Sequence, residues 1–124
     1  MNLKEQMLAV DPDIVKAGIE GWPDDLYIRQ IKADEMDKHR AILHEDENGS
    51  WVIRAAYWIA LTACTKEGAH VFVRDNKGMI FQKDIDRLMD MPMYLVRNLS
   101  DRILECNKLL GSSLEDSVKN SEET

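Results

Sequence analysis

The stretch from Trp51 to Lys66 limits the possible folds of this chain more than any other feature. Every residue from 51 to 64 except Arg54 and Thr62 is apolar, so apolar side chains cover nearly all faces of a helix. A helix that faces solvent keeps one polar face. The stretch is too short to cross a bilayer, which takes about 20 apolar residues. We therefore predict a central, buried helix over residues 51–66.

The remaining elements are predicted from apolar spacing and from turn residues. We expect an N-terminal helix over 2–9, a strand over 26–31, a helix over 33–43, a polar loop over 44–50, a hairpin pairing 71–73 with 79–81, a helix over 83–89 and a last helix running to about 110. In the helix at 33–43, Met36, Arg40 and Leu43 share one stripe. Asp90 and Pro92 suit the start of the last helix, and Gly111 suits its end.

Length and composition indicate one domain. A chain of 124 residues with 44% apolar content can bury roughly two-thirds of the surface that it exposes when unfolded. The predicted fold is mainly α with a small β component: a single compact domain of about four to five helices, with a short strand and a hairpin. We place this domain at residues 1–111 and a polar, disordered tail at 112–124, where Ser and acidic residues predominate.

The charge distribution argues against several partner classes. Residues 1–50 carry 6 Lys/Arg and 12 Asp/Glu, residues 51–110 carry 9 and 7, and residues 111–124 carry 1 and 4, which gives the net charge of −7. A chain with acidic ends and no basic cluster is a poor match for nucleic acid or for an acidic membrane. The first residues lack an apolar leader, so we expect the protein to stay in the cytoplasm.

No constellation of residues indicates an enzyme. His39 and His44 are five residues apart and do not share a helix face as a metal pair would. Cys64 and Cys106 lie in apolar surroundings, which suit reduced, inert thiols. The chain has none of the glycine-rich or nucleophile motifs of nucleotide-binding or acyl-transfer enzymes. We therefore predict a non-enzyme with no metal and no cofactor; a carboxylate pair with pH-dependent turnover would reverse that prediction.

A surplus of large apolar side chains is the feature that remains. Aromatic and Met side chains are typical both of protein cores and of adaptable binding surfaces. The helix at 51–64 has more apolar faces than a few short neighbours would cover, so we also expect self-association. The candidate protein-binding residues are Trp51, Tyr57, Trp58, Leu61, Met89, Met91, Met93 and Tyr94.

The order of these segments resembles the tail assembly chaperones of long, non-contractile-tailed phages and their prophages. The resemblance lies in a strand at 26–31, a charged helix from Lys32, an Arg-led apolar helix at 54–61, a glycine turn followed by 79–85, and a last helix ending in 107–120. It covers about residues 2–120. The chain has Lys32 and Gln82 where the family often has a capping Thr.

The resemblance implies a function. Proteins of this family bind the long, apolar tape measure protein, keep it soluble, help to recruit the major tail tube protein, and are absent from the mature virion. A polar tail that ends at Thr124 is compatible with the short form of the family. The alternative is a structural protein of the virion, such as a minor tail protein or a head–tail connector. We expect Trp58→Asp or Met91→Asp to abolish binding to the tape measure protein without changing helical content.

Overall fold

The helix at the centre of the molecule is the one that begins at Trp51. The computed structural model describes residues 2–43 and 50–108. Its elements, in chain order, are α1 (Leu3–Leu8), β1 (Ile14–Lys16), β2 (Tyr27–Arg29), α2 (Ala33–Lys38), α3 (Arg40–Leu43), α4 (Trp51–Thr62), β3 (Ala63–Cys64), α5 (Gln82–Met89) and α6 (Met93–Cys106). The described residues form a single compact domain, mainly helical with a small sheet, and the predicted fold class is confirmed.

Helix α4 is covered by its own chain over most of its length. It packs against α3, α5 and α6, and all of its residues from 55 to 62 are buried. The α5 side chains Ile85 and Leu88 and the α6 side chains Val96, Leu99 and Ile103 belong to the same core. The prediction of a central helix is confirmed. The expectation that its neighbours leave several apolar faces uncovered is wrong for residues 55–62.

The sheet has three antiparallel strands in the order β1-β2-β3. Val15 lies opposite Ile28, and Ile28 lies opposite Ala63. The predicted strand at 26–31 is confirmed as β2, with Leu26 and Ile28 buried. Strand β1 was not predicted, since it is only three residues long and its sequence, Ile-Val-Lys, does not alternate between apolar and polar residues.

Helix α4 ends at Thr62, four residues before the predicted end. Thr62 Oγ1 donates to the Trp58 carbonyl at 2.6 Å, and Ala63 takes up an extended conformation that begins β3. Two arginines supply donors for the carbonyls of the last turn: Arg29 Nη2 lies 3.0 Å and Arg74 Nη2 lies 2.9 Å from the Leu61 oxygen. Residues 63 and 64 are as apolar as the helix before them, so local pattern did not mark this boundary.

The predicted helix at 33–43 is divided into α2 and α3 by His39. The His39 ring is 1% exposed, its Nδ1 lies 2.9 Å from the Glu35 carbonyl, and its centroid lies 5.9 Å from that of Tyr57. Arg40, predicted on the inner stripe, instead points outward and is 3.4 Å from Asp37.

The predicted hairpin is present only as a turn. Asp75 N–H donates to the Met79 carbonyl, Gly78 has a φ of +80°, and a single bridge joins Arg74 to Ile80. The flanking Val71 and Val73 are exposed, and Val71 N–H donates to the Ala63 carbonyl instead. The turn chemistry was therefore predicted correctly, and the two paired strands were not.

The remaining predictions concern helix ends. α1 and α5 lie where they were expected, although Met89 is exposed and not inward. Pro92, not Asp90, is the N-terminal capping residue of α6, and Asp90 instead ends α5. α6 ends at Cys106, before the predicted 110. The loop at 44–49, Gly111 and the tail at 112–124 lie outside the described residues.

Candidate protein-interaction surface

The eight candidate binding residues fall into a buried and an exposed group. Tyr57, Trp58 and Leu61 are 9%, 5% and 0% exposed. Because these three side chains form part of the domain core, a partner cannot reach more than their edges while the domain is folded. A change at Trp58 would therefore act on folding, and the sequence-based choice of Trp58→Asp as a binding test is wrong.

Four of the remaining candidates lie together where α5 meets α6. We name this surface the α5–α6 corner and define it by Met89, Met91, Met93 and Tyr94. Met93 and Tyr94 are 65% and 61% exposed, Met89 is 38% exposed and Met91 is partly buried. The corner arises locally, because Asp90 ends α5 and the Pro92 carbonyl accepts the first hydrogen bonds of α6 from Leu95 and Val96.

A shallow hollow borders the corner at Met91. It has a volume of about 370 Å³ and is lined by Trp22, Phe72, Asp84, Arg87, Leu88 and Met91. Trp22 is held in place by its indole Nε1, which donates to the Leu95 carbonyl at 2.9 Å. Sequence reasoning missed Trp22 and Phe72. The sequence did offer one signal for Trp22: it is a large aromatic residue inside a loop rich in Gly and Pro.

The loop that carries Trp22 can approach α6 only because residue 21 is glycine. Gly21 has a φ of +95°, and a Cβ there would lie 2.3 Å from Leu95 Cδ2. An L-residue is strained at this φ, and a side chain would also displace Leu95. Gly21 therefore allows Trp22 to sit against the beginning of α6, beside the corner.

Trp51, the last of the eight candidates, lies in a separate place. It is 40% exposed and lines a groove between α4 and α6 with a volume of about 280 Å³. We name this the α4–α6 groove. Its lining residues are Trp51, Arg54, Ala55 and Trp58 from α4 and Arg97, Ser100, Asp101 and Leu104 from α6. The structure thus divides the predicted site among the corner, the groove and the domain core, which holds Tyr57 and Leu61.

The strongest electrostatic feature lies away from both surfaces. Glu35 Oε2 lies 2.6 Å from Arg29 Nη2 and 3.1 Å from Arg74 Nη2, and Glu35 Oε1 accepts the Lys32 N–H at 3.1 Å. Burial alone would raise the pKa of Glu35. The hydrogen bonds from Arg29 and the Lys32 N–H, together with the Arg29 charge, outweigh burial and lower that pKa to about 2. A carboxylate so firmly ionised is a weak base, and its place here is structural.

The two cysteines are free thiols with little tendency to ionise. Cys64 is buried and Cys106 is partly buried. Burial raises the pKa of each thiol above its usual value, which reduces the thiolate fraction that reacts with electrophiles. Among residues 2–43 and 50–108, no group of three or more His, Cys, Asp or Glu side chains could hold a metal ion.

Comparisons with protein-family models, with curated proteins and with solved structures found no match to this chain. In the part of the chain that the structure describes, no helix is both long and apolar enough to span a membrane.

Proposed function

We propose that this protein is a phage tail assembly chaperone that binds the tape measure protein through its α5–α6 corner. The observation that carries the proposal is the exposure of Met89, Met93 and Tyr94 on α5 and α6, two helices whose other apolar side chains are buried or partly buried. The resemblance of the ordered segments to the family supplies the identity of the partner. A surface of Met and Tyr suits it, because flexible thioethers and amphipathic rings adapt to varied apolar helix faces.

The corner is small, so a single copy would bind weakly. A tape measure protein offers a long, repeated apolar surface, and many weakly bound copies along it gain from avidity when they also contact one another. The net charge of −7 on each copy would keep the coated complexes apart by repulsion. In this proposal the coated tape measure protein then receives tail tube subunits, and the chaperone leaves before the virion is complete.

The decisive experiment is co-expression with the tape measure protein of the same phage, followed by affinity purification. We expect the double change Met93→Asp/Tyr94→Asp to abolish co-purification. The matched control is Val71→Asp/Val73→Asp, which introduces the same charges at side chains that are 50% and 63% exposed elsewhere on the surface. Circular dichroism and thermal melting should be the same for both variants and the unmodified chain.

Retention of the tape measure protein by Met93→Asp/Tyr94→Asp would contradict the placement of the site. Loss of co-purification with the Val71→Asp/Val73→Asp variant alone would place the binding site at residues 71–73. Mass spectrometry of purified virions separates the proposal from the alternative, since a minor tail protein or connector remains in the particle and a chaperone does not.

A further inference from the structure

The hollow beside the α5–α6 corner combines aromatic walls with two charged side chains. We name it the Trp22 hollow, and its lining consists of Trp22, Phe72, Asp84, Arg87, Leu88 and Met91. The side chains of Asp84 and Arg87 form no ion pair and no hydrogen bond with any residue in the ranges 2–43 and 50–108. The hollow therefore offers a carboxylate acceptor and a guanidinium group that the domain itself does not use.

An aromatic ring that carries a hydroxyl group matches this lining. The volume of about 370 Å³ lies at the lower end of the range for ligand sites, about 300–1,000 Å³, so one aromatic side chain fits. Its ring would pack at an offset or edge-on against Trp22 and Phe72. The Arg87 guanidinium can stack on the face of the ring, and the Asp84 carboxylate can accept the phenolic O–H. Tyrosine is the side chain that meets all of these requirements.

The one exposed tyrosine of the chain lies beside the hollow. Tyr57 is buried and Tyr27 is partly buried, whereas Tyr94 is 61% exposed. Tyr94 lies in the first turn of α6, next to Leu95, whose carbonyl accepts the hydrogen bond from the Trp22 indole. A projecting tyrosine and a hollow that fits a tyrosine thus share one surface. A two-fold axis brings this same surface of two copies together, so such a surface is complementary to itself.

We propose that two copies of the free protein pair about a two-fold axis, with Tyr94 of each copy in the Trp22 hollow of the other. The ring packs on Trp22 and Phe72, Arg87 stacks on its face, and its hydroxyl donates to the Asp84 carboxylate. Repulsion between two copies that each carry a net charge of −7 opposes the contact, so the pair forms at high protein concentration. The contact goes beyond the proposed function, because it needs no other protein.

Sedimentation equilibrium of the full chain measures the dissociation constant of the pair. Tyr94→Ala should raise it at least about 100-fold, since each pair loses two aromatic anchors. Tyr94→Phe, which keeps the ring, should raise it by about tenfold, the loss of two hydrogen bonds of ordinary strength. Because Tyr94 is exposed, both variants should keep the circular dichroism spectrum of the unmodified chain.

A second variant tests whether the hydroxyl meets the carboxylate of the hollow. Asp84→Ala should weaken pairing, and in that background Tyr94→Phe should have no further effect, because the two changes remove the same hydrogen bond. Asp86→Ala is the matched control, since Asp86 is an exposed carboxylate on the same helix that does not line the hollow. Both alanine variants remove one negative charge and reduce the general repulsion equally. The difference between their dissociation constants therefore measures the contact at Asp84.

Nuclear magnetic resonance locates the contact in the unmodified chain. The indole N–H signal of Trp22 should shift as the protein is concentrated, because a second copy's ring comes to lie against it. The indole signal of Trp51, in the separate α4–α6 groove, should stay in place. In Tyr94→Ala the Trp22 signal should no longer depend on concentration.

Several results would overturn the proposal. These are a chain that stays monomeric at every concentration, and a dissociation constant that Tyr94→Ala leaves unchanged. Independent, additive effects of Tyr94→Phe and Asp84→Ala would show that the hydroxyl does not lie at the carboxylate. A concentration-dependent Trp51 signal with a constant Trp22 signal would place the contact at the α4–α6 groove. None of these measurements uses the tape measure protein, so this proposal and the proposed function can fail separately.

Discussion

The carboxylate of Glu35 joins three segments that lie far apart in the chain. It accepts hydrogen bonds from Arg29, the last residue of β2, and from Arg74, which precedes the 75–79 turn. Both arginines also donate to the Leu61 carbonyl near the end of α4. Two guanidinium groups at the negative end of a helix stabilise its dipole. Because Arg29 and Arg74 are 5% and 12% exposed in their side chains, the carboxylate is needed to balance their charge.

We predict that Glu35→Gln lowers the free energy of unfolding at pH 7 by about 3 kcal/mol, because two buried guanidinium groups lose their counter-charge. Denaturation in urea measures the change. Glu20→Gln, an exposed carboxylate on the 18–25 loop, is the control and should change stability by less than about 0.5 kcal/mol. An effect of Glu35→Gln as small as that of Glu20→Gln would show that the Arg29–Glu35–Arg74 cluster adds no stability.

The same residue determines part of the response to acid. The pKa of Glu35 falls from 4.5 to about 2 in the folded protein, so between these values the unfolded chain binds more protons than the folded one. Its contribution to stability is therefore complete above pH 4.5 and is lost as the pH falls towards 2. The difference in unfolding free energy between the unmodified chain and Glu35→Gln should shrink steadily over that range. A difference that stays constant with pH would contradict this assignment.

At the scale of elements, α1 differs from every other helix. Asn2 Oδ1 accepts the Glu5 N–H at 2.8 Å and so caps it, but all six of its residues are exposed. Leu3, Met7 and Leu8 are 71%, 67% and 76% exposed. No residue of α1 belongs to the buried core that the structure describes, and the helix begins with a local cap.

Deletion of residues 2–9 should therefore leave the domain nearly as stable as before. We expect the melting temperature to move by no more than about 2 °C, in keeping with the small effect of changes at exposed sites. Far-ultraviolet circular dichroism should lose only the signal of one short helix. A drop in melting temperature like that caused by a core substitution would mean that α1 packs on the domain.

At the scale of the whole molecule, packing and exposure are unevenly distributed. α4, α5 and α6 bury their apolar faces against one another and against the sheet, whereas the α5–α6 corner keeps Met93 and Tyr94 in solvent. The corner thus offers apolar surface for a contact between copies as well as for a partner helix. Self-association, expected from the apolar surplus, is now expected there and not along α4.

We predict that the full chain sediments as a species larger than its monomer mass of 14.3 kDa at high concentration. Met93→Asp/Tyr94→Asp should shift the sedimentation distribution towards the monomer. The new carboxylates on the two sides of a symmetric contact would repel each other, and burying them would cost hydration free energy. Val71→Asp/Val73→Asp should leave the distribution unchanged. A chain that remains monomeric at every concentration would refute the expected self-association.

The sequence alone determined what depends on near neighbours. Apolar spacing placed α4, α5, α6 and β2, turn residues placed the reversal at Asp75–Met79, and the Met/Tyr content around Pro92 drew attention to the α5–α6 corner. Tertiary contacts decided the rest. Trp51 and Trp58 look alike in an apolar run, and only the packing of α6 buries one and leaves the other partly exposed. The end of α4 at Thr62 depends on Arg29 and Arg74, which are distant in the chain and donate to the Leu61 carbonyl. The break at His39 and the pairing of β1 with β2 also involve contacts between distant residues, which no local pattern encodes.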